Sequence, residues 1–290
     1  MPSFETPQPI TATVDLALGD LRVTASDRGD AVAVVQPTNP AHASDVTAAK
    51  DTRVEYADGR LTIVSPKHWR RFTPFDHAGS VQVVLDLPTG SHLDATTSLG
   101  HVRVDGELGR CRVKTAMGDV RVDRSVDATV KTSFGNVDVD RVDGDADIRT
   151  GSGDVRVGRI SGTGLVKNSN GDTSIDEVSG EMKVKAANGN VSIRRAGDSV
   201  AARTAAGSID IGELRHGVAT LETAAGNLAC GIADGTAVNL DVRCAYGRIQ
   251  SGLETTEGPT PTDEVLELHA HTSAGDVTLY RTDHHAPTGT

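Results

Sequence analysis

Apolar residues recur along this chain in a fixed frame. A segment of form small–x–Gly–polar–apolar–x–apolar repeats as SLGHVRV, AMGDVRV, SFGNVDV, GSGDVRV, SNGDTSI, ANGNVSI, AAGSIDI, AAGNLAC, AYGRIQS and SAGDVTL. Its glycines are Gly100, Gly118, Gly135, Gly153, Gly171, Gly189, Gly207, Gly226, Gly247 and Gly275, spaced by 17 or 18 residues at first and then by 19, 21 and 28. Two and four residues after the glycine stand pairs such as Val102/Val104, Val120/Val122, Val137/Val139, Val155/Val157 and Ile209/Ile211. That strict alternation predicts a short strand with one buried face. Five residues before the glycine, Val113, Val130, Ile148, Val166, Val184, Ala202, Leu221 and Val242 mark a second strand. Three before it comes a threonine column, Thr97, Thr115, Thr132, Thr150, Thr204 and Thr223. A third apolar position, with Val142, Ile160 and Val178, lies between the strands.

A unit of about 18 residues cannot bury its apolar face alone. Stacked about 4.8 Å apart, such units form parallel ladders whose Val/Ile columns close into a narrow core. The expected fold is therefore all-β, a single-stranded parallel β-solenoid of about ten coils, with an antiparallel meander as the structural alternative. The units are too short for crossover helices. The recurring glycine is expected at a positive-φ corner. Residues 1–92 hold only imperfect echoes, at Gly19 and Gly59, and read as irregular capping strands, with a short helix over Ser44–Thr52 that Ser44 would cap. Residues 93–281 read as the solenoid and 282–290 as a disordered tail. TTEGPTPTDE (255–264) reads as a polar insertion before the last coil.

Composition agrees with thin, strand-rich layers: 31 glycines against eight aromatic residues (four Phe, three Tyr, one Trp). A net charge of -11 argues against a dedicated nucleic-acid binder. Cys111, Cys230 and Cys244 fit no metal spacing, and the first two occupy apolar strand positions. No apolar run approaches membrane-spanning length and the N-terminus lacks a signal-peptide pattern, so a cytoplasmic address is expected.

The xGDVxV units and segments such as VKNSNGDTSIDEVSG (166–180) resemble the bacterial putative-adhesin family of β-strand repeats, whose function is unknown. The layout looks most like its short soluble actinobacterial members. The resemblance implies a β-solenoid and supplies no catalytic residue or cofactor.

Two surfaces are candidate interaction sites. Four residues before the glycines stand Lys114, Lys131, Arg149, Lys167, Lys185 and Arg203, followed by Glu222 and Arg243. Alternation points them outward about 5 Å apart. They could form a linear track for an anionic polymer, or a solvated ladder neutralised by Asp105, Asp123, Asp140 and Asp176 at the coil corners. The second is KHWRRFTPF (67–75), where Trp69 and Phe72 stand beside Arg70 and Arg71. These residues could enter a partner groove, a membrane surface or an anionic ligand, or plug the core end. Asp119, Asp154, Asp172 and Asp276 follow repeat glycines, but calcium-binding nonapeptide solenoids need GGxGxD at half this period, so no metal site is expected. Asp138, Asp210 and Asp241 have no second acid consistently beside them, and no catalytic motif occurs. The expectation is a non-enzymatic scaffold or interaction surface without cofactor, a monomer or small oligomer, whose partner is an unknown protein or anionic polymer. Its rivals are a bactofilin-like self-assembling scaffold and a carbohydrate-active β-helix enzyme.

Overall fold

The structure is a computed structural model describing residues 3–65, 79–253 and 264–282. Two compact units are distinguished, 1–144 with 148–150, and 145–147 with 151–290. Both are built almost wholly from strands, and the only helix among the described residues is Ala43–Asp51. It is too short to cross a membrane.

The repeat frame becomes parallel register. In the first unit Val102, Val120 and Val137 stand in line, as do Thr115 with Thr132 and Met117 with Phe134. In the second unit Val155 pairs Thr173, which pairs Val191, then Ile209 and Leu228. This register sets the antiparallel meander aside. Val102, Val113, Val139, Ile148, Val184 and Ile211 are all at most 1 % exposed, and the third apolar position holds Val142, Ile160 and Val178 equally deep. Each coil is named below for its corner glycine.

The corner glycines Gly19, Gly100, Gly118, Gly135, Gly153, Gly171, Gly189, Gly207, Gly226, Gly247 and Gly275 share φ between +129° and +153°. Stacking adds a second requirement. A Cβ at Gly189 would fall into the carbonyl group of Gly171 in the preceding coil, and the same holds for Gly207 against Gly189. Gly59 is a different element. With Asp58 at φ 50° and Gly59 at φ 72°, it turns the antiparallel hairpin Arg53–Ala57/Arg60–Val64, a turn with positive φ at both central residues.

The coils do not stack in sequence order at the chain ends. In the first unit the Thr11–Ser26 strand carries Gly19 and lies inside the sheet. On one edge it pairs His92–Leu99 and Val102–Met117, and on the other Arg60–Val64 and Val81–Pro88. Antiparallel strands Asp30–Pro37 and Arg53–Ala57 follow beyond, and Ser3–Glu5 beyond Asp30–Pro37. Phe4 stacks on Tyr56 at 5.0 Å. In the second unit Glu264–Ala274 pairs Gly217–Ala225 on one edge and Thr236–Tyr246 on the other. The last coil in sequence, that of Gly275, thus lies between the Gly226 and Gly247 coils, and the Gly247 coil is outermost. The insertion read at 255–264 lies outside the described residues but for Glu264, and so does the tail beyond Thr282, which itself ends a strand.

The helix begins one residue early. His42 is its N-cap and makes no side-chain cap bond, so Ser44 does not cap it. Asp45, buried, instead accepts the backbone N–H groups of Asn39 (3.0 Å) and Ser80 (2.9 Å).

Candidate functional site

The residue after each corner glycine needs an acceptor rather than a charge. Its side chain accepts the backbone N–H of the equivalent residue one coil further on. In the first unit His101 gives its N–H to Asp20, Asp119 to His101 and Asn136 to Asp119 at 2.7 Å. In the second, Asp172 gives to Asp154, Asn190 to Asp172 and Ser208 to Asn190, and onward to Asn227, Asp276 and Arg248. This explains why Asp, Asn, Ser and His share the column: each lends an oxygen or ring nitrogen to a corner N–H that the ladder leaves free. Asp119, Asp154, Asp172 and Asp276 are spent on this task. Among the described residues no three His, Cys, Asp or Glu converge as metal ligands.

In the second unit threonines of the next column close the other half of the corner. Thr204, Thr223 and Thr272 donate their hydroxyls to the carbonyls of Gly189, Gly207 and Gly226, at 3.3, 2.9 and 3.0 Å. Asn168 replaces threonine in its coil and donates to Gly153 and Gly171.

The basic column is outward and in register within each unit. Lys114 faces Lys131 in the first, which also holds Arg149. Lys167, Lys185 and Arg203 stand in line in the second, followed by Glu222 and His271. Lys114, Lys167, Lys185 and Arg203 are exposed, Lys131 and Arg149 half-buried. Arg203 pairs with Glu222 at 3.2 Å. Among the described residues Lys114, Lys131, Lys167 and Lys185 form no ion pair. Two residues further on, the same face carries only small side chains: Ala116 and Ser133 in the first unit, Ser169, Ala187, Ala205, Ala224 and Ser273 in the second. Long charged side chains beside this floor leave an open groove of about 530 Å³ along Lys185, Arg203, Glu222 and His271. The repeat motif displayed this small column, but its role as a groove floor emerges only with the stacking.

The acids expected to neutralise this column are engaged elsewhere. Asp105 binds Arg103 (2.9 Å) and Arg22, Asp140 lies 4.0 Å from Arg121, and Asp176 binds Arg194. Asp123 accepts the Gly106 N–H. The reason is local: strand alternation puts each acid on the same face as an arginine two residues away or one coil away. The Arg103 hydrogen bond, outweighing burial, which acts the other way, holds the Asp105 carboxyl below its ordinary range.

Of the other candidates, Trp69, Arg70, Arg71 and Phe72 lie outside the described residues. Asp138 stands in register with Arg121 and is close enough to Asp140 to help burial raise its carboxyl, while Asp210 stands with Ser192 and Ala229, and Asp241 with His269. Cys111 and Cys230 are buried, and burial pushes both thiols up to about 12. They fill apolar core positions.

Comparison with known proteins places this architecture. No curated protein matches the sequence significantly. Solved structures match along almost the whole chain at low identity. One is described as a "putative adhesin" from Parabacteroides merdae, at 10 % identity over 97 % of this chain and 95 % of that one, with a TM-score of 0.42. Another, from Parabacteroides distasonis, is described as a "putative lipid binding protein", at 13 % identity over 97 % and 96 %, with a TM-score of 0.35. A third, also described as a "putative adhesin", comes from Bacteroides fragilis, at 14 % identity over 97 % and 95 %, with a TM-score of 0.30. The sequence pattern of one family matches residues 13–223, most of the chain, and on that match the protein belongs to the Toastrack DUF4097 family.

Proposed function

We propose that this chain is a non-enzymatic interaction scaffold whose lysine column binds an extended anionic polymer. The observation carrying the reading is the unequal treatment of its cations. Arginines of the other faces meet carboxylates at hydrogen-bond distance, such as Arg103, Arg141 and Arg159. Within each unit the lysines stand in register beside a floor of small residues, and they form no ion pair among the described residues. Like charges about 5 Å apart repel one another, and a polyanion laid along the groove would relieve that repulsion while releasing its own counterions.

The test is binding of heparin or polyphosphate to the full chain across a salt series. Association should weaken steeply with salt. Changing Lys114, Lys131, Lys167 and Lys185 together to Gln should abolish it, while changing Arg103, Arg121 and Arg156 to Gln should leave most of it. Failure of the wild type to bind either polymer at low salt would overturn the proposal, as would equal loss in both variants.

A further inference from the structure

The outermost coil of the second unit presents an unfinished edge. Thr236–Tyr246 is paired with Glu264–Ala274 on one side, and among the described residues no strand lies on the other. The core is open there too. Leu240 is 40 % and Ile249 50 % exposed, whereas their counterparts one coil inward, Leu268 and Val277, are fully buried. An unpaired strand beside exposed core side chains is a template for a further strand.

The occupant must supply a strand and apolar side chains. The chain's own connecting segment 254–263, ETTEGPTPTD, is polar and carries two prolines that cannot donate to a ladder. The edge itself supplies what is needed. The Tyr246 carbonyl accepts the Gly275 N–H at 2.9 Å, so even-numbered residues of this strand direct their backbone groups inward. In a parallel ladder the odd-numbered ones, Asp241 and Arg243 among them, then direct theirs to the open side.

We infer that this edge pairs with the same edge of a second copy, antiparallel about a two-fold axis at Val242. In that register Asp241 lies opposite Arg243 of the second copy, and Arg243 opposite its Asp241, two opposite-charge contacts at hydrogen-bonded positions. Shifting the axis to Asp241 or to Arg243 would oppose like charges. Within one chain Asp241 already touches Arg243 at 3.1 Å, so the four charges would merge into one alternating cluster. On the core side Leu240 would meet Cys244 of the second copy and Val242 its own counterpart. The assembly closes at two chains, because an isologous contact consumes the edge. The remaining described edge strands, Ser3–Glu5 and Arg53–Ala57 of the first unit and Ile249–Ser251 of the second, are three, five and three residues long.

Sedimentation of the full chain over a concentration series should show the mass doubling once and no further. Asp241→Arg and Arg243→Asp, each alone, should leave a monomer with unchanged circular dichroism. An equimolar mixture of the two should dimerise, since the first then offers two arginines to the second's two aspartates. The double exchange in one chain should dimerise as the wild type does. A wild type that stays monomeric to millimolar concentration overturns the inference, as do growing filaments. So do single variants that dimerise fully, and Asp241 and Arg243 amides protected from hydrogen exchange in dilute monomer, which would mean the chain covers its own edge.

Discussion

Replacing Gly189 by alanine tests the stacking argument at one of its corners. Gly189 has φ +134°, which costs a Cβ-bearing residue about 1–2 kcal/mol by itself. The added Cβ would also overlap the Gly171 carbonyl, approaching its carbon at 2.6 Å. Both atoms are backbone, so relief requires the two coils to separate. The separation would stretch the bonds flanking the corner, Gly171 N–H to Asn188 at 3.0 Å and Thr173 N–H to Asn190 at 2.9 Å. Losing both adds about 0.5–1.5 kcal/mol each. The sum is about 2–5 kcal/mol, or a Tm lowered by about 3–8 °C if the chain unfolds as one unit of this length. If the second unit unfolds alone, the shift is roughly twice as large.

Two other glycines separate the contributions. Gly235 has φ +78° with nothing within 4 Å of its Cβ position, so Gly235→Ala should show the backbone term alone. Gly29 has neither positive φ nor a neighbour, and Gly29→Ala should stay within about 0.5 kcal/mol of wild type. Denaturant unfolding of the three variants gives the comparison. If Gly189→Ala costs no more than Gly235→Ala, coils do not press on one another at the corner and the stacking account fails.

Three further outcomes are expected. Asp172→Ala should cost about 0.5–1 kcal/mol by orphaning the Asn190 N–H at a partly wetted site, and Asp172→Asn should restore most of it in the same assay. Cys111 and Cys230, held protonated by burial, should resist a thiol reagent in the native protein and react on unfolding; native labelling at either would contradict their placement. Asp45, whose carboxyl the Ser80 N–H holds below its ordinary value of 3.8, contributes stability present above that value and lost as pH falls through its folded pKa. The Tm gap between wild type and Asp45→Asn should therefore be open at pH 7 and close towards pH 2, and a gap that widens on acidification would refute the assignment.

The middle of the chain was legible because each coil repeats the same solution. A position apolar in Val104, Val122 and Val139 must face the core in every coil, and a glycine kept at one offset signals one backbone geometry. The ends were not, because identical coil templates carry no label saying which coil lies beside which. Spacings of 21 and 28 around Gly247 and Gly275 announced a change of path but not that the later coil would lie inside the earlier one. Gly59 was readable as a hairpin turn, since Asp58–Gly59 joins two alternating runs, yet the repeat frame drew it in as another corner. Charge assignment failed for a different reason. Asp105 and Asp176 lie on strands adjacent to arginines, and which cation a carboxylate takes depends on faces of the coil that the repeat frame alone does not order.

The path at the two chain ends has a consequence for how the stack resists fraying. A terminal strand at a sheet edge peels from its free end one residue at a time. Here the first and last long strands, Thr11–Ser26 and Glu264–Ala274, are paired on both edges, and each is covered by a segment that the chain enters and leaves. Opening the outermost coil of the second unit, Thr236–Ser251, therefore means lifting a loop tethered at both ends, which gains less chain entropy than releasing a free tail. In the first unit the covering strands are finished by antiparallel partners, a short helix and the Phe4–Tyr56 stack. The second unit has no such finish among its described residues. Tethering preserves the outermost coil there without satisfying it, and that combination of a kinetically held strand with open backbone groups is what makes Thr236–Tyr246 a competent edge for a second copy.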